Sequence, residues 1–242
     1  MSEGIKKILV GLPNTGYYHF MTVSSIVSLA VPPGFEVGFR FVSNCLIYDA
    51  RERLAEYAVN NGYNYLFFVD SDMVLPNNTI LYMLEDMKAG NEMVTGMIFK
   101  RSYPYQPCFY PKARLNKLKK MENGIERIEM IPDLEGCMSW EKNSIIPLEG
   151  MGMACCMIDT NVFSRIKKPW FYPFPKVGED ITFCIKARQE AKAKMVVDTR
   201  IDVGHITNAT VTSQFQQEAL KNWEDDPQNK GKLLYLEAEE EW

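Results

Sequence analysis

Apolar runs and amphipathic segments take turns along the first hundred residues. IKKILVGL (5–12) reads as a β-strand closed by the turn-prone PNTG. YYHFMTVSSIVSLA (17–30) suits a helix stopped by Val31-Pro32-Pro33-Gly34, and FEVGFRFVS alternates as a second strand. In DARERLAEYAVNNG, Leu54, Ala55, Ala58 and Val59 form one apolar face. Asp49 is placed to cap it, Glu52 follows three residues on as in a capping box, and Gly62 marks the end. YLFFV (65–69) is apolar without alternation, the mark of a strand buried on both faces. LPNNTILYMLEDMKAG then reads as a helix with an Asn cap and a terminal Gly90, and NEMVTGMIF as another strand. This order predicts an α/β fold with a mostly parallel central sheet flanked by helices.

The pattern weakens over 101–150. RSYPYQPCFYPKARLNKLKKMENGIERIEM is rich in proline, aromatic and basic residues, which predicts loops and short antiparallel strands. Regularity returns with MGMACCMIDTNVFSRI as strand then helix, the proline-rich loop KKPWFYPFPKVGED, the helix ITFCIKARQEAKA and the strand KMVVDTRIDV. A polar helix over 212–223 and a loosely held acidic end, LEAEEEW, complete the chain. The organisation expected is one domain over 1–210, interrupted by a small insertion at 101–150, and a C-terminal helix and acidic tail over 211–242.

Composition narrows the classes of partner. At 242 residues, with 46% hydrophobic and 24% charged positions, the chain can bury a sizeable core. A formal charge of −4 leaves no global positive field for nucleic acid or anionic membranes. No stretch approaches the roughly 18–20 consecutive apolar residues of a membrane span, and ILVGL is too short for a secretory core. The cysteines, at 45, 108, 137, 155, 156 and 184, form no CxxC pair, so reduced thiols in a cytoplasmic protein are expected.

Chemistry concentrates where YLFFV runs into Asp70-Ser71-Asp72. Ligands of open α/β sheets bind at the carboxyl ends of strands, and residues i and i+2 of an extended chain share a side. Two carboxylates converging there repel unless a cation lies between them, and hard oxygen ligands suit Mg²⁺ or Mn²⁺. The plainer reading makes Asp70 a turn cap and Asp72 a solvated helix flank. A second acidic pair, Glu179-Asp180, precedes an amphipathic helix, where helix-dipole complementarity alone would also explain it. His205, one of only two histidines, ends the last strand, where an imidazole can complete a carboxylate metal site.

In combination these residues resemble GT-A type glycosyltransferases of the DxD-containing, family-2-like group. The matching stretches run in order: GLPNTG, DARERL, FFVDSDM, VTGMIFKR, EGMGMACCMI, GEDITFCIKARQEAK and DVGHIT. The resemblance implies a GT-A (Rossmann-like) fold. It implies transfer of a sugar from a nucleoside-diphosphate-sugar donor, with UDP before GDP, to a hydroxyl acceptor such as a glycan, protein, lipid-linked or modified nucleic acid group. Pro13, Asn14, Thr15, Arg51, Asp70 and Ser71, with Gly96, Gly150 and Gly152, would bind the nucleotide sugar. Glu52 stands where the family more often has asparagine after Arg51. Asp70, Asp72 and His205 would hold Mn²⁺ or Mg²⁺, and Asp180, with Glu179 beside it, would be the base that deprotonates the acceptor in an inverting reaction.

For the acceptor, Trp170 and Tyr172 in KPWFYPFP offer stacking faces, although a proline-rich loop packed on the core fits the same residues. The basic run KARLNKLKK (112–120) reads as a solvated surface hairpin or as a phosphate-contacting strip. Two rival functions remain: a haloacid-dehalogenase-like phosphatase with Asp70 as nucleophile, and a non-catalytic nucleotide-sugar or glycan-binding module.

Overall fold

A computed structural model describes residues 4–14, 16–122, 125–207 and 210–229. Thr15 and the acidic end of the tail lie outside the described residues. The first half runs β1 (Lys6–Pro13), α1 (Phe20–Val27), β2 (Phe35–Val42), α2 (Ile47–Asn60), β3 (Tyr65–Val69), β4 (Met73–Val74), α3 (Thr79–Lys88) and β5 (Met93–Met97). Then follow β6 (Phe109–Tyr110), β7 (Lys112–Glu122), β8 (Ile125–Glu135), β9 (Ile145–Leu148), β10 (Gly150–Met151), β11 (Cys155–Asp159) and the single turn α4 (Asn161–Ser164). The chain closes with α5 (Glu179–Lys186), β12 (Met195–Asp202), β13 (Gly204–Ile206), β14 (Thr210–Val211) and α6 (Ser213–Asp225).

Seven strands form the central sheet in the order β2-β1-β3-β11-β5-β12-β9. β1, β2, β3, β5 and β12 point one way, whereas β11 runs antiparallel between β3 and β5, and β9 is antiparallel on the far edge. The unbroken apolar run of β3 has the expected cause. Leu66 and Phe68 face one core cluster and Phe67 and Val69 the other, all fully buried. Gly96, the penultimate residue of β5, is fixed by packing. A Cβ there would stand 2.6 Å from a Val203 methyl and 2.9 Å from the Ile201 carbonyl oxygen.

Several local expectations are corrected. Helix α2 begins at Ile47 with Leu46 as its N-cap, so Asp49 lies inside the first turn and pairs with Arg53. Freed from a capping box, the Glu52 carboxylate accepts the backbone N–H groups of Trp170 and Phe171, each at 2.8 Å. That bond pins the aromatic loop to α2. Replacing Glu52 by alanine leaves both donors unanswered and is expected to cost about 1–3 kcal/mol. Denaturant titration should show a lowered midpoint for Glu52→Ala and near-recovery for Glu52→Gln, which keeps an acceptor oxygen.

The middle segment is more regular than its composition predicts. β7 and β8 pair over their whole length as an antiparallel hairpin. Its basic residues meet acids: Lys112 with Asp133 and Lys119 with Glu126 across the hairpin, and Arg114 with Glu149 between β9 and β10. These pairings favour the surface-hairpin reading of that run over a phosphate-binding strip.

Candidate active site

The end of β3 is clamped from three directions. Asp70 donates its backbone N–H to the Ala154 carbonyl at 3.0 Å. The Ser71 carbonyl accepts from the His19 N–H and from the Thr22 hydroxyl, which fixes the start of α1 beside the turn. The Asp72 carbonyl accepts from the Ile206 N–H at 2.8 Å, and His205 lies opposite Met73 in the small β14-β13-β4 sheet. That ribbon carries a residue from late in the chain to the rim of the main sheet.

Asp72 and His205 therefore meet, with Oδ2 3.3 Å from Nε2. The other imidazole nitrogen, Nδ1, lies 2.6 Å from the Phe99 carbonyl oxygen. With Nδ1–H donating to that carbonyl, the Nε2 lone pair faces a carboxylate, an arrangement that needs a proton or a metal cation between them. Arg101 adds a second positive group at 3.2 Å from Asp72. Burial pulls the Asp72 carboxyl upward, but the hydrogen bond and charge of His205 and the charge of Arg101 hold it below the ordinary carboxylate value.

Asp70 has a different partner. Both its oxygens accept from Arg51 Nη2 at 3.0 Å. Arg51 is almost fully buried, and it also donates from Nε to Glu179 at 3.1 Å and from Nη1 to the Met153 carbonyl. Burial works against the guanidinium charge, but Asp70 and Glu179 more than restore it. Arg51 is thus a buried strut joining α2, the end of β3 and the start of α5. Burial pushes the Asp70 carboxyl up, with Arg51 pulling the other way.

Of the three expected metal ligands, the structure brings Asp72 and His205 together, while Asp70 is taken by Arg51. Among the described residues no group of three or more His, Cys, Asp or Glu is gathered closely enough to hold a metal. The pair of donors with an anchored imidazole suits a hard divalent cation that would take its remaining ligands from phosphate oxygens and water.

Beside these groups lies a cleft of about 250 Å³ lined by Pro13, Asn14, Asp70, Ser71, Asp72 and Arg101, with Cys45, Ile47 and Ala50 closing one wall. Four of the expected nucleotide-sugar residues, Pro13, Asn14, Asp70 and Ser71, and two of the expected metal ligands, Asp70 and Asp72, are therefore neighbours. Sequence reasoning missed Arg101 and Cys45; the basic pair Lys100-Arg101 just beyond β5 was the available signal for the first.

Asp180 starts α5 with Glu179 and is fixed by the Ile181 N–H donating to its Oδ1 at 2.7 Å. Burial, then the Glu179 charge, pushes its carboxyl up to about 6. Gly152 keeps room near it: a Cβ at that position would stand 3.9 Å from Asp180 Oδ2 and 3.2 Å from Cys108 Cβ. Gly150 is hemmed in by Ala113 and serves packing.

The aromatic loop divides. Trp170 is 5% exposed and donates its indole N–H to the carbonyls of Phe163 and Ile166, so it belongs to the core. Its expected place on an acceptor platform is corrected. Tyr172, at 58% exposed, stays on the surface. All six cysteines are free, and Cys155, Cys156 and Cys184 are buried.

The mostly parallel sheet flanked by helices, with an antiparallel strand at its middle, is a GT-A type fold. No family model and no curated protein matches the chain. Among solved structures it is similar to A197 from STIV, with 15% identity, a TM-score of 0.58, and 84% of this chain and 86% of that one covered. It is also aligned with S. aureus TarS 1–349 in complex with UDP (12% identity, TM-score 0.46) and with UDP-GlcNAc (12%, 0.48). Both TarS alignments cover 79% of this chain, which spans 57% and 55% of those chains. Among the described residues no helix is long and apolar enough to cross a membrane.

Proposed function

We propose that this chain is a metal-dependent glycosyltransferase that moves a sugar from a nucleoside-diphosphate sugar to a hydroxyl acceptor. One observation carries the reading. On a GT-A type fold, Asp72 and His205, far apart in sequence, face each other at the rim of a polar cleft and require a positive charge between them. Mn²⁺ or Mg²⁺ held by Asp72 and His205 would neutralise charge developing on the departing diphosphate.

The chain's own residues supply the remainder. Pro13 and Asn14 form the cleft wall at the end of β1, where a base and ribose would lie. Arg101, exposed at the cleft mouth, is free to turn from Asp72 to a phosphate oxygen. Asp180, anionic above about pH 6, would accept the acceptor's hydroxyl proton. Arg51 holds Asp70 and Glu179 in place, a positioning role in contrast to the direct nucleotide contact implied by resemblance. The same pairing argues against Asp70 as a phosphatase nucleophile, because both its oxygens are engaged by a guanidinium.

The base assignment has a signed pH consequence. Activity should fall as pH drops through about 6, because the base is lost to protonation. For stability, a carboxyl raised in the fold favours folding fully below its unfolded pKa, and that contribution is lost as pH rises through about 6. Asp180→Asn should therefore be inactive yet more thermostable than wild type at pH 8, with the gain shrinking at pH 5. Melting curves at the two pH values check this, and an unchanged or lowered Tm at pH 8 would contradict it.

The function itself is tested by incubating the protein with Mn²⁺ and a panel of nucleotide sugars, UDP-sugars first, and measuring release of nucleoside diphosphate. Turnover of one donor supports a transferase. Thermal stabilisation by a donor without turnover supports a binding module. Phosphate release from a simple phosphomonoester supports the phosphatase.

A further inference from the structure

Away from the cleft, the free edge of the central sheet is unusual. β2 pairs only with β1 among the described residues, and a long apolar edge strand is a template for association unless charge or a cover blunts it. Here the surface beside the edge is apolar on one face. No Asp, Glu, Lys or Arg occurs between Lys7 and Glu36. Helix α1, which lies in that interval, buries Thr22 and Ser25 and leaves Phe20 74% and Val27 80% exposed. On the same side of the sheet Phe41, 60% exposed, meets Tyr18 edge-on at 5.5 Å, and Phe39 is 52% exposed.

The edge is also self-complementary. Its sequence, Phe35-Glu36-Val37-Gly38-Phe39-Arg40-Phe41, reads alike from both ends about Gly38, with an acid on one side and a base on the other. Backbone direction agrees with that centre. The Gly34 and Val42 carbonyls accept from Lys6 and Asn14, so even-numbered residues turn their backbone groups to β1. Phe35, Val37, Phe39 and Phe41 therefore aim theirs outward. In an antiparallel pair centred on Gly38, Phe35 would exchange hydrogen bonds with Phe41 of a second copy, and Val37 with Phe39. Glu36 and Arg40 would then fall in non-hydrogen-bonded positions, where side chains are closest. Neither has an ion-pair partner among the described residues; Arg40 instead lies over the Tyr57 ring. A Cβ at Gly38 would stand 2.3 Å from the Tyr63 hydroxyl and would push that ring aside, and the bare backbone permits close approach at the centre.

We propose that two copies of this chain associate through β2, antiparallel about Gly38, extending the central sheet across a two-fold axis with Glu36 of each copy against Arg40 of the other. The contact is isologous, as a closed dimer requires. The apolar faces of the two α1 helices and Phe39 and Phe41 then share one side of the joined sheet.

Sedimentation equilibrium on the purified full chain, from about 1 to 100 μM, tests this, with expected dissociation in the micromolar range or tighter. Arg40→Glu sets acid against acid and should weaken the dimer about tenfold or more. The double variant Glu36→Arg with Arg40→Glu restores opposite charges and should dimerise again, which separates an interface effect from misfolding. A wild-type monomer throughout that range overturns the proposal, as does a dimer indifferent to Arg40→Glu or a double variant that stays monomeric. A monomer that binds phosphatidylcholine vesicles also overturns it, assigning the apolar face to lipid.

Discussion

Asp72→Asn protein is expected to lose about 10²–10³-fold in nucleoside diphosphate release from its donor while keeping its fold. The substitution preserves size and removes one negative charge. Asp72 is held below the ordinary carboxylate value by His205 and Arg101, so its anionic form is the one the neighbours are arranged around. Without it, the imidazole Nε2 and Arg101 lose their shared partner, and the divalent cation proposed above would lose one of its two protein ligands. The loss should fall mainly on kcat, because the charge answers one that develops as the diphosphate departs. Mn²⁺ should raise the Tm of wild type and not that of the variant. Undiminished turnover in Asp72→Asn would remove the basis of the proposed chemistry.

The largest stability effect is expected at Arg51. Its side chain is 4% exposed and is bonded to carboxylates at 24% and 12% exposure. Removing one partner of a buried ion pair leaves uncompensated charge, at a cost of about 3–5 kcal/mol. For Arg51→Ala that corresponds to a Tm lower by roughly 10 °C in a chain of this size. Arg51→Lys should recover little, since one ammonium cannot reproduce the fork that reaches Asp70, Glu179 and Met153 together. Lowering the pH should narrow the gap between wild type and Arg51→Ala, because a protonated Asp70, whose carboxyl burial already pushes up, no longer needs the cation. A Tm within about 2 °C of wild type would show the strut to be dispensable.

What the sequence disclosed depends on the range of each interaction. Strand β3 was legible because burial on both faces leaves an unbroken apolar run that needs no knowledge of its neighbours. Helix α5 was legible for the same local reason, an apolar stripe behind an acidic start. Glu52 was misread because a capping box and a tertiary anchor use the same carboxylate. Its choice was made by backbone donors in the aromatic loop, more than a hundred positions away. Trp170 was ambiguous because an indole in a proline-rich loop suits a ligand platform or a core equally until its N–H finds carbonyls inside. Arg51 and Glu179 carry no signal of their pairing at all. In the hairpin, opposite charges alternate across two strands, a pattern that reads as irregular along either one alone.

The antiparallel strand in the middle of the sheet also bears on how the molecule is made. β3 and β5 are the fifth and eighth elements to be synthesised, yet neither touches the other without β11, which follows after some sixty further residues. Until then a nascent chain emerging from the ribosome holds two exposed, almost wholly apolar strands with no neighbour between them. Completion of the core is thereby tied to the last third of translation, and the earlier part is the stretch most in need of a chaperone.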